Sequence, residues 1–264
     1  MPVRLRAAAA SDVGAYRAVN QDAAFTATWG AAVADGVGGG PSGDLASAAL
    51  VHRLVAGRMM IPDADALAVL IREANWDLRA HAERDSSLRG MSTTFTGIFI
   101  ASTGELLLAH TGDSRAYLLR GGALTRQTRD DSFVQALVDH GVIEPAAAAS
   151  HPRRNLITAS LGGAENDTVA IAEHDALIGD RWMLCSDGVT DYLPDAELER
   201  VLSTEPSPEE AATALVALAL EAGTRDNVTA VVCDAVAAYE GSAEWEPSFH
   251  GAAAARFCED LETA

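Results

Sequence analysis

The sequence predicts an α+β domain with four layers, in which two central antiparallel sheets are flanked by helices (α-β-β-α) and a small flap lies to one side. Three observations support this prediction. Predicted strands come first, followed by two helices, many strands, and then a mixture of helices and strands. The connections between strands are too short for parallel crossovers, so antiparallel pairing is expected. The 264 residues are 48% hydrophobic and 22% charged, which suits one large domain or two small ones.

The N-terminal part of the chain predicts three strands and two helices. The strands are expected over residues 3–9, which alternate as an edge strand does, and over 23–29 and 30–34. A glycine-rich loop over 36–43 leads into the first helix, over 44–60, where Pro62 ends it. The second helix is predicted over 63–84, because its apolar residues recur on one face and an aspartate begins it.

The rest of the chain alternates between short strands and helices. Strands are predicted over 93–102, 105–109, 115–120, 168–173, 180–186 and 228–234, and helices over 131–140, 145–150, 197–202 and 208–222. Thr103-Gly104 and Gly121-Gly122 are predicted hairpin turns. Residues 1–236 are expected to form the domain, with its flap at about 130–165. Residues 237–264 are expected to be a C-terminal tail, either docked or partly disordered.

The composition excludes several classes of protein. A formal charge of -19 argues against binding nucleic acid or an anionic membrane surface. No apolar run is long enough to cross a bilayer, and the N-terminus lacks the apolar region of a signal peptide, so a cytoplasmic protein without membrane insertion is expected. The cysteines Cys185, Cys233 and Cys258 are odd in number and widely spaced, which predicts no disulfide framework.

Three aspartates, each beside an apolar run, are the main functional signal. Asp35 and Asp187 each end such a run and precede a glycine, whereas Asp226 is followed by Asn227 and then by an apolar run. Apolar runs of this length beside turn residues predict buried strands, so the three carboxylates are expected at strand ends, from which they can converge. Carboxylate and carbonyl oxygens suit Mg²⁺ or Mn²⁺, and the sequence has no Cys/His cluster for zinc. Metal-assisted chemistry on a phosphate is therefore predicted.

An ordered set of motifs resembles the PPM family of metal-dependent (type 2C) serine/threonine phosphatases, in its compact bacterial form. The resemblance covers residues 11–234. Its motifs are Ser11-Asp12-Val13-Gly14 with Arg17 and Asn20-Gln21-Asp22, Val33-Ala34-Asp35-Gly36-Val37-Gly38-Gly39, Gly90-Met91-Ser92-Thr93-Thr94, Gly112-Asp113-Ser114-Arg115-Ala116-Tyr117, Leu161-Gly162, Ser186-Asp187-Gly188 and Asp226-Asn227-Val228-Thr229. An Asp-Gly pair alone is usually a turn, but the whole set in family order is specific.

The resemblance implies a phosphatase with two Mn²⁺ or Mg²⁺ ions and a metal-activated water as nucleophile. Asp35 would bridge both ions, and the carbonyl group of Gly36 would add a ligand to the second ion. Asp187 and Asp226 would complete the first site, and Asp113 with Asp187 would form a third, weaker one. Arg17 would hold the substrate phosphate, a role that its planar fork of donors suits. Asp22 would support the ligands from behind, and Asn227 is a further candidate without an assigned role.

Simpler roles stay open for some of these residues, and two motifs depart from the family pattern. Arg17 could be a surface charge, and Asp113 could cap the turn before Ser114. Gln21 stands where the family usually has a glutamate that helps to hold the second metal, so weaker binding there is expected. Asp130-Asp131-Ser132 replaces the usual Asp-His-Ser/Thr before the flap, which could change how the flap is positioned.

The leading hypothesis is a phosphatase that removes phosphate from serine and threonine and opposes bacterial Ser/Thr kinases. Its partners would be phosphorylated proteins, namely those kinases and their substrates. The alternative, suggested only by Gln21, is a metal-poor pseudophosphatase that binds phosphoproteins or signalling partners without turnover. A third possibility is a phosphatase domain that regulates a larger complex, with the tail after Ala235 as its docking element.

Overall fold

The structure is a computed structural model, and it describes residues 2–37, 42–56, 61–238 and 246–256. Its strands are β1 Val3–Asp12, β2 Asp22–Thr26, β3 Gly30–Asp35, β4 Phe95–Ile100, β5 Leu106–Thr111, β6 Arg115–Arg120, β7 Ala123–Arg126, β8 Ala170–His174, β9 Arg181–Cys185, β10 Val228–Ala237 and β11 Ser248–Gly251. Its α-helices are α1 Gly43–Val55, α2 Ala64–Arg84, α3 Phe133–Asp139, α4 Pro145–Ala148, α5 Asp187–Thr190, α6 Asp195–Thr204, α7 Pro208–Glu221 and α8 Ala252–Arg256. A 3-10 turn covers Ser86–Leu88.

The strands form two antiparallel sheets. One has the order β1-β10-β9-β6-β7, and the other has the order β11-β2-β3-β4-β5-β8. The long β1–β10 ladder pairs Val3 with Ala237 at one end and Asp12 with Val228 at the other. Every ladder between named strands is antiparallel, as the short connections predict.

The two sheets pack face to face, and helices cover both outer faces. Trp182, Leu184 and Val231 of the first sheet share a buried cluster with Val33 and Ile98 of the second. The outer face of the second sheet is covered by α1, α2 and α8, and that of the first sheet by α6 and α7. The predicted four-layer α-β-β-α fold is therefore confirmed. Among the described residues, no helix combines the length and the apolar character needed to cross a bilayer.

Some boundaries differ from those that the sequence predicts. The first helix ends at Val55, where a helix to residue 60 was predicted, although 57–60 lie outside the described residues. The short strand β7 and the single turn α5 were not predicted. Strand β7 pairs with β6 through Gly121 and Gly122, which both have positive φ angles (61° and 83°), as a two-residue hairpin requires.

Residues 246–256, within the predicted tail, add a strand and a helix to the fold. Strand β11 pairs with β2, and α8 packs on α1. Nε2 of His52 lies 2.8 Å from the carbonyl oxygen of Ala253, and the guanidinium of Arg256 donates to Asp44. Residues 239–245 and 257–264 lie outside the described residues.

Candidate active site

Asp35 is the last residue of β3, and its backbone is fixed from three directions. Its N–H donates to the hydroxyl of Thr94 (3.1 Å). Its carbonyl oxygen accepts from the Thr94 N–H (2.8 Å) and from the Thr93 hydroxyl (2.9 Å). Because the main chain is held in this way, the half-buried carboxylate has a defined direction at the end of the strand.

Asp22 lies directly opposite Asp35 in the β2–β3 ladder and is fully buried. The Ser186 hydroxyl donates to Oδ2 of Asp22 (2.7 Å), whereas Oδ1 has no hydrogen-bond partner among the described residues. Burial raises the pKa of Asp22 to about 6 against the opposing effect of the Ser186 bond. A buried carboxylate with an unpartnered oxygen is stabilised by a cation nearby.

Asp187 begins the turn α5, two residues after the end of β9. A methyl group on the next residue, Gly188, would lie 2.0 Å from the carbonyl oxygen of Asn227, so only glycine allows this turn to approach the start of β10. The pKa of Asp187 is raised well above its usual value, first by burial and then by the charges of Asp113, Asp191 and Asp226. Burial and the charge of Asp22 likewise raise the pKa of Asp35.

Arg17 brings a positive charge to these carboxylates. Its Nη2 donates to Oδ2 of Asp226 at 2.7 Å, and the charges of Asp226, Asp35 and Asp187 all help to raise its pKa. Arg17 and Asp226 share a cavity of about 220 Å³ with Asp187. The Arg17 side chain is 39% exposed, so a ligand in this cavity can reach the guanidinium from solvent.

Asn227 fixes the loop that carries Arg17. It is 4% exposed, and its Oδ1 accepts from the backbone N–H of Gln21 (2.8 Å). Its Nδ2 donates to the carbonyl oxygens of Val13 (2.9 Å) and Val19 (3.0 Å). One side chain therefore ties both ends of the 13–21 segment to the start of β10, next to Asp226.

Asp113 lies in the turn before β6 and borders a second cavity, of about 420 Å³, whose lining also includes Asp187 and Asp191. Burial and the charge of Asp130 raise the pKa of Asp113 to about 7. Asp187 lines both cavities and thus connects Asp113 with the Arg17–Asp226 pair.

Gly36 and Gln21 meet the start of α1 on the other side of Asp35. The N–H of Gly36 donates to the carbonyl oxygen of Gln21 (3.1 Å), and a methyl group on Gly36 would lie 2.3 Å from the carbonyl oxygen of Gly43. The Gln21 amide is also close, because a methyl group on Gly43 would lie 2.9 Å from its Nε2. Residues 38–41 of the glycine-rich loop lie outside the described residues.

Comparison with known proteins identifies the family. The family model described as Protein phosphatase 2C matches residues 15–207. The chain belongs to the protein phosphatase 2C family. A serine/threonine protein phosphatase PstP of Mycobacterium tuberculosis is 43% identical over 235 residues, which are 88% of this chain and 45% of that protein. The chain therefore spans about half the length of this relative.

Two further matches extend over most of the length of the matched chain. The serine/threonine phosphatase stp of Listeria innocua is 32% identical over 212 residues, which cover 76% of this chain and 82% of that protein. A crystal structure of the PstP catalytic domain in complex with two manganese ions is 40% identical, with a TM-score of 0.80. The match covers 89% of this chain and 100% of the crystallised one.

The donor set of this phosphatase 2C chain fits a divalent metal. Asp22, Asp35, Asp113, Asp187 and Asp226 supply only oxygen atoms, and each of the first four has a pKa raised by burial and by carboxylate charge. In the described part of the chain, no three His, Cys, Asp or Glu side chains are grouped tightly enough to enclose an ion as they stand. Carboxylates that approach one another around an ion repel, and a divalent cation would offset that repulsion.

Several residues around the two cavities were not predicted from the sequence. They are Arg154, Asn155, Asp191, Tyr192 and Arg225. Asp191 follows Asp187 by four residues, a spacing that would have placed both on one face of a helical turn, but the turn itself was not predicted. Of the others, Arg154 and Asn155 are consecutive in one turn, Tyr192 follows Asp191, and Arg225 precedes Asp226. No local pattern marks them as site residues.

The unusual Asp130-Asp131-Ser132 motif ties the start of the predicted flap to the sheet. Asp130 accepts from Nε (3.0 Å) and Nη2 (2.8 Å) of Arg115, and the guanidinium of Arg126 also donates to it. Asp131 accepts from the N–H of Gly112 (3.1 Å), and the Ser132 hydroxyl caps α3. These contacts hold the chain next to the turn that contains Asp113.

Proposed function

We propose that this chain is a metal-dependent protein phosphatase that hydrolyses phosphoserine and phosphothreonine. The observation that carries the proposal is the position of Arg17, which pairs with Asp226 within the charge field of Asp35 and Asp187. The guanidinium can donate hydrogen bonds to a phosphate group, and the carboxylates beside it form a candidate metal site. The relatives from Mycobacterium tuberculosis and Listeria innocua are named serine/threonine phosphatases, which supports the same activity.

The proposed metal ligands follow from this arrangement. Asp35 and the carbonyl group of Gly36 would hold one Mn²⁺ or Mg²⁺ ion, and Asp35 with Asp187 and Asp226 would hold the other. Asp113 and Asp187 would form a weaker third site. When bound, such ions act as Lewis acids and lower the pKa of a coordinated water. The PstP catalytic domain was crystallised with two manganese ions, which supports the binding of two ions here.

The chain's own side chains would bind and orient the substrate. Arg17 uses one terminal nitrogen on Asp226, and its planar fork can present a second pair of N–H groups to phosphate oxygens. Asn227 would keep the Arg17 loop in place through its three hydrogen bonds to backbone groups. Asp22 would hold the Ser186 hydroxyl next to Asp187 and thereby orient that ligand.

The pseudophosphatase alternative rests on Gln21 alone. The geometry favours an active enzyme, because Asp35, Asp187 and Asp226 act electrostatically on one another and on Arg17, which pairs with Asp226. The Gln21 side chain places a neutral amide beside Gly43 and near Gly36, a proposed ligand of one ion. We therefore propose that this ion binds more weakly than it would beside a glutamate, and that activity is retained. The substrates would be phosphoproteins, and the partners would be bacterial Ser/Thr kinases and their targets.

Phosphate release from a phosphothreonine peptide tests the proposal. Metal-stripped protein should be inactive, and added Mn²⁺ should restore turnover. Asp187→Asn should lose several orders of magnitude in kcat, because it removes a proposed ligand shared by two sites. Asp65→Asn, which neutralises an exposed aspartate on α2, is the matched control and should keep full activity. Undiminished hydrolysis in the metal-stripped protein would contradict the proposal.

A further inference from the structure

The Arg17 cavity contains a second arginine that the proposed chemistry does not use. Arg225 lines the same 220 Å³ cavity as Arg17, Asp187 and Asp226, and it directly precedes Asp226 in the chain. It is exposed. Consecutive Cα atoms are about 3.8 Å apart, so the Cα atom of Arg225 lies at that distance from the Cα atom of Asp226, the residue that pairs with Arg17.

Of the three arginines that line this cavity, two form ion pairs with aspartates. Arg17 pairs with Asp226, and Nε of Arg154 lies 3.3 Å from Oδ2 of Asp191. Within the ranges that the structure describes, Arg225 forms no ion pair, although the whole chain carries a formal charge of -19. An arginine without a carboxylate partner in such an acidic protein is available to an anion from outside.

Two tyrosines hold Arg225 in place. Its guanidinium carbon lies 5.0 Å from the centroid of the Tyr16 ring, and its backbone N–H donates to the Tyr192 hydroxyl (3.0 Å). Tyr16 is 63% exposed and directly precedes Arg17. The stacked pair of Arg225 and Tyr16 therefore connects the loop that carries Arg17 to the segment that carries Asp226, at the rim of the cavity.

We infer that Arg225, stacked on Tyr16, recognises a second anionic group of the phosphoprotein, next to the phosphorylated residue that Arg17 holds. This inference rests on the proposed function and names a class of substrate for it. The second group is a carboxylate or another phosphate, since the guanidinium fork binds both with two parallel hydrogen bonds. An extended peptide advances about 3.3 Å per residue, so the group should lie within about two residues of the scissile phosphate.

The stacking explains why Arg225 suits recognition. A flexible arginine on a surface loses side-chain entropy when it binds, which weakens exposed ion pairs. Contact with the Tyr16 ring restricts the guanidinium beforehand, and the exposed position of Arg225 makes it accessible to a ligand. The enzyme would thus favour acidic or multiply phosphorylated segments over phosphorylated residues in neutral surroundings.

A set of phosphothreonine peptides tests this inference. They carry alanine, glutamate or a second phosphothreonine at each of the two positions on either side, and kcat/KM is measured for wild type and Arg225→Gln. Wild type should prefer glutamate or phosphothreonine over alanine at one or more of these positions. Arg225→Gln should lose this preference, because its kcat/KM for the glutamate and phosphothreonine peptides should drop by about three- to tenfold. This is the range for a charge-assisted hydrogen bond at an exposed site. The glutamate and phosphothreonine arms distinguish the two anions.

Para-nitrophenyl phosphate has no flanking residues, so its hydrolysis should stay within about twofold in Arg225→Gln. Arg72→Gln is the matched control, because Arg72 on α2 is also exposed and its guanidinium carbon also lies over an aromatic ring, 5.8 Å from the centroid of Trp76. It should leave every preference unchanged. Arg225→Glu should reverse the preference toward lysine-flanked peptides, which a purely structural role of Arg225 would not produce.

The outcomes separate this inference from the proposed function. Failure of the proposed function appears as no hydrolysis of any substrate by wild type, and fluorescence anisotropy of labelled peptides then still measures the effect of Arg225 on binding. Equal treatment of neutral and acidic peptides by wild type, in both hydrolysis and binding, would overturn the inference. So would an equal loss for all substrates in Arg225→Gln, since that pattern indicates a structural role.

Discussion

Asn227 offers a quantitative prediction about how the fold positions Arg17. Its side chain makes three hydrogen bonds to the backbone of the 13–21 segment, at 2.8, 2.9 and 3.0 Å, and it is 4% exposed. A buried hydrogen bond contributes about 1 kcal/mol net, so Asn227→Ala should lower the free energy of unfolding by about 3 kcal/mol. For a chain of this size the melting temperature should fall by roughly 6–12 °C.

The same substitution should also impair phosphate binding, because the loop that carries Arg17 loses its attachment at both ends. We expect KM for para-nitrophenyl phosphate to rise by about tenfold, because KM scales inversely with the fraction of time that Arg17 is correctly placed. Asn227→Asp should be at least as damaging. It keeps one acceptor but directs a negative oxygen at the carbonyl groups of Val13 and Val19.

Asn75 provides the matched control. It is 2% exposed, donates to the carbonyl oxygen of Ala164 (3.1 Å) and accepts from the N–H of Gly163 (2.8 Å). Asn75→Ala should cost about 2 kcal/mol in urea unfolding and leave KM for para-nitrophenyl phosphate unchanged. A wild-type KM in Asn227→Ala would refute the positioning role. In addition, Arg17→Ala and Asn227→Ala should have non-additive effects on KM, because both act through the same guanidinium.

Two further substitutions test the metal site and its supports. Gln21→Glu adds a negative charge beside Gly43. It should lower the Mn²⁺ concentration for half-maximal activity by about five- to thirtyfold, as a net gain of about 1–2 kcal/mol requires; superimposable titration curves would exclude this role. Gly251→Ala should destabilise the protein by about 2 kcal/mol or more in urea unfolding, because Gly251 has a φ of +61° and its added methyl group would lie 2.2 Å from the carbonyl oxygen of Asp22. Gly122→Ala is the control, because Gly122 also has a positive φ (+83°) but an added methyl group there would meet nothing within 4 Å. An equal loss of stability in both variants would show that close contact between β11 and Asp22 does not contribute.

The layers of the fold and the acidic positions were predictable because local patterns encode them. Apolar runs predict the strands that end at Asp35 and flank Asp187 and Asp226, and helical spacing predicts α2. Strand β7 has four residues and no buried one, and α5 is a single turn, so neither leaves a periodic signal. The β11–α8 unit was also not predicted, since its 246–256 segment is too short for a pattern and is stabilised by packing on β2 and α1.

The arrangement around Arg17 could be predicted only in part. Its motif marks Arg17 itself, but the ion pair with Asp226 joins residues that are 209 positions apart. The three bonds of Asn227 and the stacking of Arg225 on Tyr16 depend in the same way on the β1–β10 ladder, which brings the two chain segments together. Contacts of this kind follow from tertiary structure, and no local sequence pattern specifies them.

The central claim, that Asp35, Asp187 and Asp226 bind the metal ions needed for phosphate hydrolysis, is tested most directly in one sample. Metal-stripped protein is titrated with Mn²⁺ while the bound ions per chain and the phosphate released from a phosphothreonine peptide are both measured. We predict no hydrolysis without metal and a rise in activity as two ions bind, with both signals reduced in Asp187→Asn. Hydrolysis before any ion binds, or a chain that holds two ions and releases no phosphate, would contradict the claim.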